Sequence, residues 1–415
     1  MKRVLYSVIT GERTGVFPTL IRIALTPLGW VYRILITAHQ WLYDHRLLRQ
    51  HRLPCPVISI GNIVAGGTGK TPAAIWVART LQEAGIRVAI LLRGYGRQEG
   101  GSVMLVSGTT PLTASGDEAV MIATGLPDVP VWVGKDRYAA GLAAIRSGKV
   151  DAIILDDGFQ HRKLGRDLDI LTVDATQPFG TVRNTNRYSL LPAGTLRQPP
   201  SVLNRADVIL LTRTDARDFC PDTRNTKSKP RSLGVSSIKS TSRGKSRSSS
   251  HPSSDLADSL HVVKQSIKRI APDVPIAESC HRPIELYQLG DVERVQQLQC
   301  LADHRLLAVC GIGNPNAFAE TLRRYAPQYL ELVAFPDHHQ YRPTDLAQIQ
   351  SRAAEMGATF IVTTQKDEPR LCHLLAQAPT AVGRFEALRF YVLRIELVIT
   401  AGKEFLTQQL MECVK

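Results

Sequence analysis

The sequence predicts an α/β protein built on a P-loop NTPase-like parallel sheet with helices on both faces. Short, nearly continuous apolar runs alternate with stretches of helical spacing, which is typical of parallel strands covered by helices. A glycine-rich turn joins the first such strand to the next helix in ISIGNIVAGGTGKTP, residues 58–72. The alternation resumes after a polar tract, so we also expect a smaller C-terminal α/β domain.

The first domain, the P-loop core, is expected over residues 49–215. Its predicted strands are the apolar runs at 56–62, 87–94, 150–157, 168–175 and 206–215, with helices between them at, for example, 72–84 and 135–147. The smaller domain is expected over residues 263–387, with strands at 306–314, 329–335 and 359–367 and a helix that begins near Pro343. Residues 388–415 predict a long strand that ties the two domains together, followed by a short closing helix.

Residues 1–48 are expected to form amphipathic helices at a membrane interface. The apolar stretch 16–45 is interrupted by two arginines, two prolines and a glycine, whereas a spanning helix needs about 20 apolar residues with few charges. Lying in the interface, it would place aromatic residues such as Trp30, Tyr32 and Trp41 at the headgroups and its arginines against anionic lipid. The alternative is a pair of amphipathic helices packed on the core.

The net charge of +14 does not by itself indicate a nucleic-acid binder. Residues 223–254 carry eight Lys or Arg, twelve Ser and no acidic residue, and the rest of the chain has 43 basic against 37 acidic residues. That remainder suits an anionic substrate or membrane surface, and no nucleic-acid motif accompanies it. Such a tract cannot bury enough apolar surface to order itself, so we expect a flexible insertion over residues 216–262.

Cysteine usage indicates a reducing compartment. The seven cysteines are scattered, and no two of them form a C-x-x-C pair. An odd, unpatterned set in a long chain is typical of free thiols in a cytosolic protein, and it argues against a disulfide framework or a zinc ribbon.

The glycine-rich turn predicts a site for nucleotide phosphates. The usual spacing G-x-x-x-x-G-K-[ST] would put its first glycine at position 64, where this chain has valine, so the loop is a variant P-loop. We expect Lys70 to reach the β- and γ-phosphates of ATP and Thr71 to bind Mg²⁺. The expected nucleotide-binding residues are Val64, Ala65, Gly66, Gly67, Thr68, Gly69, Lys70 and Thr71.

Paired carboxylates follow another predicted strand. Asp156 and Asp157 end the apolar run AIILDD, which is the position of a Walker-B acid. An Asp-Gly turn is the simpler interpretation, but ligands bind at the carboxyl ends of parallel strands. We therefore expect both carboxylates to help Thr71 hold the metal ion.

Two further motifs leave several interpretations open. GDEAV places Asp117 and Glu118 at the start of a helix, where an N-cap is the commoner role. FPDHHQY follows a strand of the smaller domain. Its Asp-His-His run could be a metal site, a turn, or a source of one histidine that pairs with a carboxylate across the cleft between the domains.

Taken in order along the chain, these motifs resemble those of the tetraacyldisaccharide 4′-kinases, the lipid A 4′-kinases of Gram-negative bacteria. The resemblance runs from about residue 10 to residue 375 and leaves the insertion uncovered. It depends on the motifs VAGGTGKTP, LLRGYGR, GDEA, DDGFQHRKLGRDLDILTVDA, LLPAGTLR, CGIGNPNAFAETL, FPDHHQY and TTQKD.

The resemblance implies that the γ-phosphate of ATP, with Mg²⁺, is transferred to the 4′-hydroxyl of a lipid A disaccharide precursor to give lipid IVA. It implies a peripheral or monotopic protein on the anionic cytoplasmic face of the inner membrane, and we expect a monomer that binds no nucleic acid. It makes Asp117 the base for the sugar hydroxyl and His338 the residue that orients it, with Lys70 also catalytic. The expected substrate-binding residues are Arg93, Glu118, Gln160 and His161.

The chain departs from the family pattern near the expected acceptor pocket. Residues 177–198 form a longer loop than usual, in which Thr195 and Gln198 replace a proline and a glutamate. Gln365 stands where glutamate is common in the TTQKD motif. These departures affect the expected acceptor pocket more than the phosphate loop.

Three other functions compete with the kinase hypothesis. A GTPase or metal-chaperone NTPase would read guanine with N-K-x-D, but LTRTD at 211–215 has Thr212 and Arg213 in place of Asn and Lys. A partition-type ATPase carries a lysine before the paired glycines, where this chain has Ala65. A nucleic-acid binder would depend on the basic insertion alone.

Overall fold

The computed structural model describes residues 15–95, 97, 103–148, 150–180, 189–215, 252–377 and 389–415. The α-helices in these ranges are α1 (Val16–Asp44), α2 (Lys70–Glu83), α3 (Leu112–Ser115), α4 (Asp117–Gly125), α5 (Arg137–Ser147), α6 (Pro252–Ile270), α7 (Pro315–Arg323), α8 (Pro343–Met356), α9 (Glu368–Gln377) and α10 (Lys403–Val414). The strands are β1 (Val57–Gly61), β2 (Val88–Leu92), β3 (Met104–Val106), β4 (Val131–Val133), β5 (Ala152–Asp156), β6 (Leu168–Asp174), β7 (Val208–Thr212), β8 (Ile276–Gln288), β9 (Asp291–Gln296), β10 (Arg305–Cys310), β11 (Tyr329–Ala334), β12 (Phe360–Thr364) and β13 (Arg389–Ala401).

These strands form one sheet in the order β11-β10-β12-β13-β8-β7-β6-β1-β5-β2-β4-β3, and β9 pairs with β8 outside this path. Strands β1, β2, β5, β6 and β7 are buried along their whole length, which explains their continuous apolar sequences. Helices α2, α4 and α10 pack on one face of this part of the sheet, and α5 packs on the other. The expected α/β fold with helices on both faces is confirmed.

The long strands β8 and β13 determine how the two parts of the sheet face each other. They are antiparallel over most of their length, from Tyr391 opposite Gln288 to Ala401 opposite Glu278. The amino-terminal set (β1, β2, β4, β5, β6 and β7) joins β8 in parallel near Ile276, and the carboxy-terminal set (β10, β11 and β12) joins β13 in parallel near Arg389. Because the sets attach at opposite ends of an antiparallel pair, their carboxyl ends point toward each other.

The nine expected strands are present with ends shifted by a few residues, and β3, β4, β8 and β9 are additional. Residues 1–48 were expected to form more than one amphipathic helix. Their described part is a single helix, α1, with Pro27 inside it and Gly29 as its buried residue. By length and composition, α1 is the one helix in the described ranges that could cross a membrane.

The last part of the expected insertion, residues 216–262, is helical, because α6 begins at Pro252. Leu260, Val263 and Ile267 have helical spacing and pack against the core beside β6 and β7. These apolar contacts are the reason that the end of the tract is helical. Residues 216–251 lie outside the described ranges, and the domain boundaries stay a prediction.

Candidate active site

The carboxyl ends of both strand sets line one large cleft. The amino-terminal set contributes the phosphate loop (residues 65–71), which follows β1, and the acidic residues that follow β5. The carboxy-terminal set contributes loops that follow β10, β11 and β12, among them Asn314, His338 and Lys366. Residues far apart in the sequence therefore face each other because of the sheet topology.

The phosphate loop has the backbone shape that an anion site needs. Gly66 and Gly69 have φ of 132° and 84°, and Gly69 is the N-cap of α2 without any side chain that caps the helix. The first N–H groups of α2 are therefore open to a polyphosphate. A Cβ atom on Gly69 would lie 3.1 Å from Nε2 of His281 and 3.2 Å from Cγ2 of Thr212, so the close packing also requires glycine.

Buried hydrogen bonds hold the loop from below. Asn62 Nδ2 donates to Thr68 Oγ1 at 2.8 Å, and Thr68 Oγ1 lies 2.9 Å from Thr172 Oγ1 on β6. Thr212 Oγ1, at the end of β7, donates to the carbonyl oxygen of Thr68 at 3.0 Å. Residues on or next to three neighbouring strands thus fix the loop before any ligand binds. Such preorganisation favours phosphate binding.

Asp156 and Asp157 have pKa shifts of opposite sign. Burial, reinforced by the charges of Glu118 and Asp157, raises the pKa of Asp156 to about 7 although Lys70 opposes the shift. Burial also raises the pKa of Asp157, but the charges of Lys70 and Arg197 outweigh it and hold that pKa below its ordinary value. The Lys70 Nζ–Asp157 Oδ1 distance is 3.6 Å, and Arg197 Nη1 donates to both Asp157 oxygens at 2.9 Å.

These residues fit a magnesium ion. Thr71 Oγ1 lies 3.5 Å from Asp156 Oδ2, so a hydroxyl and a buried carboxylate converge beside the phosphate loop. A cation there would favour the ionised form of Asp156. No group of three or more His, Cys, Asp or Glu side chains in the described ranges is arranged to hold a metal ion. The other ligands of Mg²⁺ would thus be phosphate oxygens and water, as is usual in kinases.

Across the cleft, Asp117 and His338 form a hydrogen-bonded pair. Asp117 is the first residue of α4, and its Oδ1 accepts the backbone N–H of Glu118 at 3.0 Å. His338 follows β11 with φ of 57°, and its Nδ1 lies 3.1 Å from Asp117 Oδ2. A left-handed conformation at a non-glycine residue carries strain, and such strain concentrates at functional sites. Of the three interpretations of the Asp-His-His run, the pair across the cleft is the observed one.

The charges around this pair favour an ionised carboxylate. Burial raises the pKa of Asp117, but the hydrogen bond and charge of His338, together with Arg370 and Lys366, lower it below its ordinary value. Burial lowers the pKa of His338, but its hydrogen bond to Asp117 and the charges of Asp117 and Asp337 together raise it above its ordinary value. Lys366 Nζ lies 3.2 Å from His338 Nε2 and 3.3 Å from Glu118 Oε1, and Arg370 Nε lies 3.4 Å from Asp117 Oδ2.

The sequence of this chain is similar to those of known proteins. The family model described as tetraacyldisaccharide-1-P 4′-kinase matches residues 21–415. The chain is 39% identical to a tetraacyldisaccharide 4′-kinase of Syntrophus aciditrophicus over 82% of both chains. It is 34% identical to one of Anaeromyxobacter sp. (strain Fw109-5) over 92% of this chain and 88% of the relative.

The chain belongs to the tetraacyldisaccharide 4′-kinase family. Its fold is also similar to that of LpxK from Aquifex aeolicus, whose crystal structure is a complex with ATP. The TM-score is 0.64 at 26% identity, over 95% of this chain and 100% of that one. The resemblance drawn from the motifs and the expected kinase class are confirmed.

Most of the expected site residues of this kinase lie together. Those that line the cleft are Ala65, Gly66, Gly67, Thr68, Gly69, Lys70, Thr71, Arg93, Glu118, Asp156, Asp157, Gln160, His161 and His338. Asp117 is buried directly beside them. Val64 is different, because its side chain packs in a hydrophobic cluster and its backbone pairs with Leu196. Its expected contact with the nucleotide stays a prediction.

The surroundings of Gln160 and His161, two of the expected substrate residues, determine the hydrogen bonding of the first and the charge of the second. Gln160 Nε2 donates to the carbonyl oxygen of Asn62 at 2.6 Å, so it supports the phosphate loop from the side. Burial, with the charges of Arg137 and Arg166, lowers the pKa of His161 to about 4, so its imidazole is neutral at pH 7. A neutral imidazole can donate or accept one hydrogen bond at a sugar hydroxyl.

Four cationic residues in or beside the kinase cleft were not predicted from the sequence: Arg137, Arg197, Lys366 and Arg370. Arg197 and Lys366 lie inside motifs already quoted, LLPAGTLR and TTQKD, so a search for cations within the motifs could have found them. Arg137 and Arg370 have no such signal. They are buried at 4% and 2% exposure, and the fold brings distant carboxylates to them, Asp157 to Arg137 and Asp117 to Arg370.

Proposed function

We propose that this cleft transfers the γ-phosphoryl group of ATP to the 4′-hydroxyl of a tetraacyldisaccharide 1-phosphate, giving the 1,4′-bisphosphate. One observation carries the proposal. Asp117 and His338 are 221 positions apart and meet at 3.1 Å in the cleft that contains the phosphate loop. A carboxylate oriented by a histidine next to a triphosphate site suits phosphoryl transfer to an alcohol.

The donor side would be formed by the amino-terminal strand set. The loop N–H groups and Lys70 would hold the triphosphate, and Thr71, Asp156 and Asp157 would hold Mg²⁺. When bound, Mg²⁺ would neutralise charge that develops on the phosphate oxygens. Arg197 keeps Asp157 ionised and fixed in orientation, so that the carboxylate is ready for the metal ion.

The acceptor side would be formed by α4 and the carboxy-terminal set. Asp117 would accept a hydrogen bond from the 4′-hydroxyl and then its proton, while the N–H group of His338 holds the carboxylate in place. A carboxylate with a lowered pKa is a weak base. Phosphoryl transfer has a loose transition state, so most of the rate would come from positioning and charge. Arg93, Glu118, Gln160 and His161 would contact the disaccharide.

We also propose an anionic membrane surface as partner, at the cytoplasmic face of the inner membrane. Large apolar side chains of α1 are exposed, among them Phe17 at 72%, Ile34 at 68% and Trp30 at 66%. A lipid acceptor would enter from such an interface. The described residues of one chain supply both the phosphate loop and the Asp117–His338 pair, so a monomer suffices.

The test is to incubate the full chain with a disaccharide 1-phosphate lipid, Mg²⁺ and γ-labelled ATP. We expect a labelled bisphosphorylated lipid, formed about 10²- to 10³-fold more slowly by Lys70→Ala. Nucleotide hydrolysis without lipid product would contradict the proposal. Replacing ATP by GTP separates the GTPase alternative, which the structure disfavours because Asp215 pairs with Arg324 at 3.3 Å and Arg213 pairs with Asp174.

A further inference from the structure

The segment of residues 189–198, here called the bridging segment, is hydrogen-bonded to the phosphate loop. Ala65 N donates to the carbonyl oxygen of Thr195, and Arg197 N donates to that of Ile63, both at 2.7 Å. Val64 and Leu196 form an antiparallel bridge between these two bonds. The start of the phosphate loop is thus fixed on one side by the bridging segment.

The same segment holds one of the carboxylates beside the loop. The guanidinium of Arg197 donates to both oxygens of Asp157 at 2.9 Å, and Asp157 in turn lies 3.6 Å from Lys70 Nζ. A displacement of the Arg197 backbone would therefore move both the phosphate-loop pairing and the orientation of Asp157.

Helix α1 also contacts the bridging segment. Tyr32 donates its hydroxyl to the carbonyl oxygen of Arg197 at 2.9 Å. Gly29 is the buried residue of this helix, and a Cβ atom there would lie 3.5 Å from Ala193 Cβ and 3.7 Å from the carbonyl oxygen of Leu190. The sequence predicts Tyr32 at the lipid headgroups, whereas in the structure its hydroxyl donates to the backbone carbonyl oxygen of Arg197.

We propose that Tyr32 is a positioning residue for phosphoryl transfer, through which the docked helix α1 holds Arg197, Asp157 and the phosphate loop in the arrangement that binds Mg²⁺ and ATP. Two residues of one helix, Gly29 and Tyr32, thus contact the bridging segment. The membrane helix would then both attach the kinase to lipid and keep its donor site in order. This inference rests on the proposed function.

The experiment compares full-length wild type with Tyr32→Phe, which removes one hydroxyl and keeps the ring. We expect kcat for lipid phosphorylation to fall and the Mg²⁺ concentration for half-maximal rate to rise, each by about 3- to 10-fold, the effect of one lost hydrogen bond. The KM for the lipid and the fraction bound to anionic vesicles should stay unchanged. Tyr43→Phe is the matched control on the same helix, because its ring contact with Arg162 is retained, and it should change none of these quantities.

Gly29→Leu is a second variant, because a Cβ atom at this position already reaches contact distance of Ala193 and Leu190, and the leucine side chain extends beyond it. It should weaken Mg²⁺-dependent nucleotide binding, measured by calorimetry without lipid, while vesicle binding persists. Unchanged kcat and Mg²⁺ dependence in Tyr32→Phe would overturn the inference, as would a loss confined to the KM for lipid. The calorimetric readout needs no acceptor, so absence of lipid product in wild type would defeat the proposed function without deciding this one.

Discussion

The Asp117–His338 pair provides the sharpest test of the acceptor site. The perturbation is Asp117→Asn, His338→Ala and the double variant. Asparagine keeps the volume of a residue that is 7% exposed, and Arg370 keeps its contact with Asp367 at 2.8 Å, so the local packing has other support. If His338 acts only by orienting Asp117, its loss has little further effect once the carboxylate is gone.

The structure gives the expected magnitudes. A general base contributes about 10²- to 10⁴-fold, so Asp117→Asn should lower kcat by that range. The 3.1 Å bond from His338 reaches a charged, buried acceptor, and such bonds contribute about 1.5–3 kcal/mol, roughly 10- to 150-fold. Independent roles would multiply the two losses, whereas a shared role leaves the double variant within about 3-fold of Asp117→Asn.

The assay measures kcat for lipid phosphorylation and, separately, nucleotide affinity by calorimetry. His339 and Asp345 supply the matched control, because their Nε2–Oδ2 distance of 2.8 Å makes a similar pair that does not line the cleft. His339→Ala should affect stability and leave kcat within about 3-fold. Multiplicative losses at Asp117 and His338, or an Asp117→Asn variant that mainly weakens ATP binding, would refute the orienting role. Asp156 would then be the next candidate for the base.

Three further predictions concern the donor site and the membrane. Lys70→Ala should lower turnover by about 10²- to 10³-fold with an unchanged circular dichroism spectrum, and near-normal turnover would remove the phosphate-loop assignment. Because the pKa of Asp156 is raised to about 7, protons compete with Mg²⁺ below that pH: apparent Mg²⁺ affinity should fall about tenfold per pH unit below 7 and level off above it. Asp156→Asn should abolish this pH dependence of Mg²⁺ affinity. If the dependence persists in that variant, the competing proton binds a different group. Trp30, Ile34 and Leu35 are more than half exposed. Replacing all three by serine should release the kinase from anionic vesicles, while Mg²⁺-nucleotide binding measured by calorimetry stays intact. Unchanged vesicle binding would show that this face does not meet lipid.

The sequence predicted the parts of the fold that depend on local pattern. Strands such as β1 and β5 are buried on both faces, so their composition alone identifies them. Strand β8 was missed because its buried and exposed positions are mixed and it contains Pro283. The spacing of the glycines located the phosphate loop, but it also suggested Val64 as a nucleotide contact. That position is set by pairing with Leu196, which lies 132 positions away and which no local pattern reveals.

The acceptor side could not be derived from spacing at all. Residues 117 and 338 entered the sequence analysis as a pair only through the family resemblance, since each motif alone was consistent with a cap, a turn or a metal site. Their meeting depends on which end of the β8–β13 pair each strand set joins. Apolar runs identify strands buried on both faces, but they do not specify the neighbours of each strand. The contacts of Lys366 with Glu118 and of Arg370 with Asp117 could not be derived from the sequence either, because each joins residues of different strand sets.

Asp117 and His338 come from different strand sets. The distance between them should therefore respond to structural changes more than any other distance in the cleft. The phosphate loop is fixed within one strand set by bonds among Asn62, Thr68 and Thr172. The pair instead joins two sets that are connected through β8 and β13, each 13 residues long, or about 40 Å at the usual rise per residue. A small change of twist in such a long ribbon moves its ends by ångströms while each set stays intact. Alterations along β8 and β13 should therefore lower phosphoryl transfer before they lower nucleotide affinity.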